Sequence, residues 1–254
     1  MSKTSVSMSE MPRVIETKNL SKTFGGLRAV DGLSIYFPKG VATGLIGPNG
    51  SGKTTLMNLL TGTLEPTDGE IKIEGRAFGS IEPENLRGLG IARTFQDGRL
   101  VGQLSVEDNL LLAIASVGTI EGLSETSGEK YAARIDAVLK KINLEEKRRA
   151  HAEDLSYGQR KLLELGRAII QDADIYLLDE PFTGLFPAVV EQVAELLLEL
   201  KRAGKTLVII EHNISLIRRL ADNVIVLDHG QKLAAGIPED VLKNKKVQEA
   251  YLGV

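Results

Sequence analysis

A glycine-rich run lies between an apolar stretch and a helix-favouring stretch, and its residue types suit the binding of phosphate groups. The run comprises Gly47, Pro48, Asn49, Gly50, Ser51, Gly52, Lys53, Thr54 and Thr55. Glycines allow successive backbone N–H groups to turn towards one anion, and the N-terminus of the following helix adds a positive dipole. In such a loop Lys53 reaches the outer phosphates and Thr54 offers a hydroxyl to Mg²⁺. An ordinary glycine-rich turn before Lys-Thr is the alternative.

Two adjacent carboxylates end an apolar segment later in the chain. Residues 175–178 are typical of a buried strand, and Asp179 and Glu180 follow them directly. If this strand runs parallel to the one before the phosphate loop, both carboxylates reach the same edge of the sheet as Lys53. Asp179 is then placed to hold Mg²⁺, directly or through water, and Glu180 to polarise an attacking water molecule. An acidic turn without chemistry is the alternative.

Polar side chains also follow two other apolar segments. Gln96 comes after residues 91–95, and His212 comes after residues 208–211. Ligands bind at the carboxyl ends of strands in open α/β sheets, so both side chains are expected at the same site. Gln96 is predicted to complete the coordination of Mg²⁺ and to orient water, and His212 to hydrogen-bond the terminal phosphate. A histidine after a strand is often structural, so the case for His212 depends on its neighbours.

The segments around these residues alternate between strand and helix patterns. Short apolar segments at residues 174–178, 206–210 and 223–227 are separated by helical patterns at residues 189–201 and 214–220. This alternation predicts a parallel sheet that is covered on both faces.

Ahead of the phosphate loop the pattern is different. Residues 13–20 and 27–37 are rich in β-branched and aromatic residues and end at a Pro-Lys-Gly turn. They are predicted to form neighbouring antiparallel strands.

From residue 97 to about residue 170 the pattern changes to helical. Apolar residues recur at helical spacing in residues 106–114, 131–142 and 162–170, which predicts an inserted helical lobe. Residues 118–128 contain three glycines and suggest a surface loop between two of these helices. The predicted organisation is a disordered tail at residues 1–12, a core of residues 13–96 and 171–254, and a lobe of residues 97–170.

Composition excludes several classes of protein. The chain of 254 residues is 43% hydrophobic, which is enough for a full core. Its apolar stretches are too short or too polar to cross a bilayer, and the first residues lack the apolar centre of a signal peptide. The chain has no cysteine, which excludes disulfides and thiolate metal sites, and its net charge of −3 gives no reason to expect a nucleic-acid surface. Any membrane association must therefore involve a protein partner.

The order and spacing of these features resemble the nucleotide-binding subunit of ATP-binding-cassette (ABC) transporters. The most discriminating element is Leu-Ser-Tyr-Gly-Gln at residues 155–159, which is similar to the ABC signature motif that other phosphate-loop ATPases lack. The resemblance runs from about residue 13 to the end of the chain. It implies an α/β fold, namely a phosphate-loop NTPase of the ABC ATPase type with a mainly parallel sheet core, an N-terminal antiparallel β-subdomain and an inserted helical subdomain. ATP and Mg²⁺ are the implied substrate and cofactor.

The signature segment implies that the site is shared between two chains. Ser156 and Gly158 are expected at the start of a helix, where the N-terminus attracts anions, and Ser156 also suits a helix N-cap. In the family two subunits pack head to tail, so that Ser156, Tyr157, Gly158 and Gln159 of one subunit close over the γ-phosphate held by the other. ATP then holds the dimer together and hydrolysis loosens it. Tyr157 departs from the glycine that the commonest family members have, whereas import relatives often carry a larger residue.

Two further segments match the family. Phe24 occupies the position of the aromatic residue that stacks on adenine, with core packing as the alternative. Residues 181–187 match the loop that crosses the dimer near the attacking water, but Phe186 replaces the usual Asp or Asn, and we assign it no chemical role.

Three short segments resemble the ATPases of importers for branched-chain amino acids, urea and short amides more specifically. They are residues 24–30, 92–96 and 247–253. The implied partners are a second ABC ATPase subunit, identical or a sister, integral membrane permease subunits that contact residues 97–112, and indirectly a periplasmic or extracellular solute-binding protein, with no nucleic acid. The implied location is the cytoplasmic face of the cell membrane. An exporter ATPase of the lipopolysaccharide type and a soluble ABC ATPase outside transport remain alternatives.

Overall fold

The computed structural model describes residues 10–94, 100–114 and 125–252, within which two β-sheets are covered by α-helices. The strands are β1 (Arg13–Phe24), β2 (Leu27–Leu33), β3 (Tyr36–Pro38), β4 (Ala42–Ile46), β5 (Asp68–Ile73), β6 (Arg76–Phe78), β7 (Ile91–Arg93), β8 (Ile175–Asp179), β9 (Thr206–Ile210), β10 (Asn223–Asp228) and β11 (Gln231–Gly236). The helices are α1 (Lys53–Leu60), α2 (Val106–Ile114), α3 (Glu125–Ile142), α4 (Tyr157–Ile169), α5 (Pro187–Arg202), α6 (Ile214–Leu220), α7 (Pro238–Val241) and α8 (Lys245–Leu252).

The N-terminal part of the chain forms an antiparallel sheet in the order β2-β1-β5-β6, with β3 also paired to β1. The predicted antiparallel pairing is confirmed, but the single strand predicted over residues 27–37 is wrong. The side chain of Thr17 interrupts it, because its hydroxyl donates to the Leu33 carbonyl at 2.8 Å and accepts from the Ile35 N–H at 3.1 Å. The segment therefore divides into β2 and β3, which pair with different parts of β1.

The central sheet has the order β11-β10-β4-β9-β8-β7, and all of its neighbouring strands are parallel except β10 and β11. Strands β4, β8 and β9 are buried along their whole length, as expected for a parallel sheet covered on both faces. The prediction that the strand before Asp179 runs parallel to the strand before the phosphate loop is confirmed, although β9 lies between them. The carboxyl ends of β4, β9 and β8 therefore lie side by side.

Helices α2, α3 and α4 contact one another and share an apolar cluster with one face of the central sheet. Helix α3 begins at Glu125, so the loop predicted over residues 118–128 is wrong for its last four residues, and residues 118–124 lie outside the described ones. A glycine inside a helix costs only about 1 kcal/mol. The buried apolar face formed by Ile135, Val138, Leu139 and Ile142 outweighs that cost.

In the described parts of the chain, no helix combines the length and the apolar character that a membrane span requires. Of the predicted disordered tail, residues 1–9 lie outside the described ones.

Candidate active site

The phosphate loop connects β4 to α1, and two of its glycines lie where no side chain fits. Gly47 has φ 149° and Gly52 has φ 98°, both in the region that favours glycine. A Cβ atom on Gly47 would overlap the carbonyl oxygen of Leu227, and one on Gly52 would overlap that of Ala29. The loop therefore packs closely against β10 on one side and against β2 on the other.

The side chain of Lys53 is buried against this loop and hydrogen-bonds to its backbone. Its buried ammonium group donates to the carbonyl oxygens of Gly47 and Pro48, both at 2.9 Å, and lies 3.4 Å from Oγ of Ser51. Burial lowers the pKa of Lys53, and the negative charges of Glu180 and Asp179 oppose that shift.

The next residues open to solvent. Thr54 is exposed in the first turn of α1, whereas Thr55 is half-buried. At the tip of the loop, Asn49 and Gly50 are exposed and Pro48 is half-buried.

Asp179 is the last residue of β8 and is only 2% exposed. Its Oδ2 lies 3.7 Å from Nη2 of Arg93, and its Oδ1 has no hydrogen-bond partner among the residues that the structure describes. Burial raises the pKa of the Asp179 carboxyl, and the Arg93 guanidinium opposes that shift. A buried carboxylate oxygen without a donor suits a cation or a water molecule that a cation holds, so this donor set fits Mg²⁺.

Arg93, to which the sequence analysis gave no role, connects the end of β7 to the last turn of α1. Its guanidinium donates to Oδ1 of Asn58 at 2.6 Å and to the hydroxyl of Thr61, besides pairing with Asp179. The available signal was a positive charge inside a short apolar segment, because such a charge needs partners when it is buried. Arg93 therefore fixes the position of Asp179 relative to the helix that follows the phosphate loop.

Glu180 and His212 lie together at the ends of β8 and β9. Nε2 of His212 is 2.9 Å from Oε1 of Glu180, and the hydroxyl of Thr183 donates to Oε2 of Glu180 at 3.1 Å. A hydrogen bond to an ionised Glu180 requires the histidine tautomer with its proton on Nε2. Among the described residues each carboxylate oxygen thus has one partner, which leaves a lone pair for water.

The backbone of Glu180 is unusual because its φ is 48°, in the left-handed region that non-glycine residues seldom adopt. Its N–H donates to the carbonyl oxygen of Ile210 in β9 at 3.1 Å. The neighbouring Glu211 is buried, and its Oε2 accepts from the N–H groups of His212 and Asn213 at 2.7 and 3.0 Å. Strained backbone at a polar strand end is characteristic of functional sites.

The signature segment begins α4, as predicted. Ser156 is its N-cap and forms a capping box with Gln159. The Gln159 N–H donates to Oγ of Ser156 at 3.3 Å, and the Ser156 N–H donates to Oε1 of Gln159 at 3.0 Å. The first N–H groups of a helix, here those of Tyr157 and Gly158, have no acceptor within the helix. A Cβ on Gly158 would lie 3.2 Å from the side chain of Val189 in α5, so this end of the helix is closely packed.

Three aromatic side chains are exposed among the described residues, and one of them is Tyr157 in the signature segment, at 46%. Phe24 is 44% exposed at the end of β1, with the Lys22 ammonium 5.3 Å from its ring centroid, so core packing does not account for it. Phe186 is 81% exposed at the N-cap of α5. Gln96 lies outside the described residues.

Tyr251 of α8 is a second residue that the sequence analysis missed at this site. Its hydroxyl accepts a hydrogen bond from the N–H of Gly47 at 2.7 Å, across 204 residues of sequence. Burial raises the pKa of Tyr251 to about 12, so the phenol stays neutral at physiological pH. The C-terminal helix is thereby attached to the first residue of the phosphate loop.

Replacing Tyr251 by Phe removes the acceptor of the Gly47 N–H and should destabilise this loop. We expect a loss of about 1 kcal/mol, seen as a fall in Tm of roughly 2–4 °C, because one buried hydrogen bond is lost without a change of shape. ATP affinity should fall with it. Thermal unfolding and nucleotide titration measure both effects, and Tyr36→Phe is the matched control. Equal behaviour of the two variants would contradict a role for the Tyr251 hydroxyl.

Comparison with known proteins identifies the family of this chain. The family described as ABC transporter matches residues 30–183, and the one described as branched-chain amino acid ATP-binding cassette transporter matches residues 231–254. The chain belongs to the ATP-binding subunits of ABC transporters. It is therefore an ATPase that binds adenine nucleotide.

Curated relatives of this ABC ATPase match over nearly their full lengths. The probable branched-chain amino acid transport ATP-binding protein LivG of Archaeoglobus fulgidus is 35% identical over 246 residues, which is 95% of this chain and 96% of LivG. The high-affinity branched-chain amino acid transport ATP-binding protein BraF of Pseudomonas aeruginosa is 34% identical over 252 residues, which is 94% of this chain and 98% of BraF.

Solved structures agree with this assignment. The nucleotide-free ATP-binding cassette of an ABC transporter superposes with a TM-score of 0.83 at 33% identity and covers 95% of this chain and 100% of its own. A dimeric ATP-binding cassette in a post-hydrolysis state, bound to ADP and phosphate, gives a TM-score of 0.78 at 26% identity over 88% of this chain and 98% of its own. The predicted fold class is thus confirmed.

Proposed function

We propose that this ABC ATPase powers the import of branched-chain amino acids or related small polar solutes. Two features support import and this solute class: the match of residues 231–254 to a branched-chain amino acid transporter family, and the names of the full-length relatives. The solute is bound elsewhere, by membrane permeases and a solute-binding protein. This subunit supplies the energy of ATP hydrolysis at the cytoplasmic face of the membrane, where it is held by the permeases.

The observation that carries the ATPase role is the Glu180 carboxylate, held between His212 and Thr183 beside the phosphate loop. In the proposed reaction a water oxygen bonds to the γ-phosphorus while the bond to the bridging oxygen of ADP breaks, and Glu180 accepts the proton of the water. In the structure the Nε2–H of His212 holds the carboxylate, and in the ATP-bound state the same N–H is proposed to donate to the γ-phosphate. Lys53 and the loop N–H groups stabilise the charge on the phosphates.

The residues that would hold Mg²⁺ are Thr54, Asp179 and Gln96. The free Oδ1 of Asp179 and the exposed hydroxyl of Thr54 support this assignment. When bound, the ion would neutralise phosphate charge. Phe24 is proposed to stack on adenine, and its exposed ring supports that role.

The site is proposed to be completed by a second copy or a sister ATPase. The uncommitted N–H groups at the start of α4 form an anion-binding end, and residues 156–159 of one subunit would close over the γ-phosphate held by the other. ATP binding then favours the closed dimer, and loss of the γ-phosphate favours the open one. We divide the subunit accordingly into a nucleotide-binding core, residues 13–96 and 171–254, and a signature lobe, residues 97–170.

Transport by the reassembled complex tests this function. The chain, co-purified with its permease partners, is placed in liposomes together with the solute-binding protein. Uptake of labelled leucine, isoleucine or valine should require ATP in the compartment that contains this subunit. A complex with Glu180→Gln serves as the inactive control. Uptake of urea but of none of the three amino acids would contradict the proposed solute class, and ATP-driven efflux would contradict import.

A further inference from the structure

Tyr157 of the signature segment is connected to the loop that follows Glu180. The Tyr157 hydroxyl donates to the carbonyl oxygen of Thr183 at 3.1 Å. The side-chain hydroxyl of the same Thr183 donates to Oε2 of Glu180, also at 3.1 Å. Two hydrogen bonds through one residue therefore link the first residue of α4 to the carboxylate that contacts His212.

The ring of Tyr157 contacts the same loop. Gly184 has φ 74°, and a Cβ atom there would lie 3.0 Å from Cε1 of the Tyr157 ring. The ring thus packs directly against the backbone of Gly184, while the hydroxyl binds the preceding carbonyl. Tyr157 holds the loop through both its polar and its apolar parts.

Glu180 needs this support because its own backbone is strained. A non-glycine residue with φ 48° keeps that conformation only where its surroundings hold it. On the β9 side the Ile210 carbonyl accepts from the Glu180 N–H, and on the loop side the Thr183 hydroxyl fixes the carboxylate. Tyr157 can act as an anchor because α4 is itself fixed by its capping box and by the packing of Gly158 on Val189.

We propose that Tyr157 is a positioning residue, which fixes the loop of residues 181–186 and thereby orients the Glu180 carboxylate for ATP hydrolysis. The inference rests on the proposed role of Glu180 as the base. Tyr157 acts through Thr183 and does not itself contact the reacting water. Removing only its hydroxyl leaves the backbone N–H groups of the signature segment in place, so turnover changes and nucleotide binding does not.

The first test is Tyr157→Phe, which deletes the hydrogen bond and keeps the ring. We expect kcat to fall about three- to tenfold, while KM and the Kd for ATP stay within about twofold. Tyr131→Phe is the control, because it deletes a tyrosine hydroxyl from α3, which packs with α4. It should leave kcat unchanged. A normal kcat in Tyr157→Phe, or a rise in KM with kcat unaltered, would overturn the proposal.

The second test uses Thr183, which both hydrogen bonds share. Thr183→Val removes the donor to Glu180 at nearly constant shape, whereas Thr183→Ser keeps it. We expect Thr183→Val to lower kcat and Thr183→Ser to have a kcat close to that of the wild type. The double variant Tyr157→Phe with Thr183→Val should lose less activity than the product of the two single losses, because both changes act through one residue.

Strictly multiplicative losses would contradict a shared route to Glu180. The proposed function is tested separately by Glu180→Gln. If that variant hydrolysed ATP at the wild-type rate, Glu180 would not be the base, whatever the result for Tyr157→Phe. If Glu180→Gln were inactive and Tyr157→Phe fully active, the positioning role of Tyr157 would be overturned and the role of Glu180 would stand.

Discussion

Replacing Glu180 by Gln should lower ATP turnover at least about a hundredfold, because glutamine keeps the shape of the side chain but cannot accept the proton of water. ATP binding should persist, since Lys53 and the phosphate loop are untouched. Phosphate release at saturating ATP and a nucleotide titration measure the two properties. Glu239→Gln, an exposed carboxylate in the first turn of α7, is the matched control. Turnover near the wild-type rate would remove Glu180 as the base.

Replacing Ser156 by Arg should abolish ATP-dependent dimerisation while sparing ATP binding by the single subunit. The arginine side chain would occupy the space that the partner's γ-phosphate needs at the start of α4. Ser156→Ala is the informative control, since it removes only the N-cap and should cost about 1 kcal/mol of stability. Light scattering with and without Mg-ATP follows the dimer. If the Arg and Ala variants dimerise to the same extent, capping and not closure explains the effect.

The site residues on the central sheet could be placed from sequence because each of them directly follows an apolar segment that is typical of a buried strand. Parallel strands end at one edge, so the sequence alone predicts Asp179 and Glu180 beside the phosphate loop. The order of strands within the sheet is not a local property. The sequence therefore did not reveal that β9 separates β4 from β8, which is what brings His212 to 2.9 Å from Glu180.

Contacts between distant segments were missed for the same reason. The hydrogen bond from Gly47 to Tyr251 spans 204 residues, and neither residue carries a pattern that points to the other. Arg93 was visible as a charge in an apolar segment, but its partners on α1 and β8 depend on packing. The break between β2 and β3 depends on a single hydroxyl, that of Thr17, which periodicity does not detect.

The central claim is that one subunit encloses ATP incompletely and a second subunit supplies the rest. Sedimentation velocity of the Glu180→Gln protein, with its permease partners and without them, tests it most directly, because a hydrolysis-deficient variant should accumulate the closed state. We predict a monomer without nucleotide and a dimer with saturating Mg-ATP. A Glu180→Gln protein that binds Mg-ATP yet sediments as a monomer at every concentration, alone and with its partners, would contradict the account.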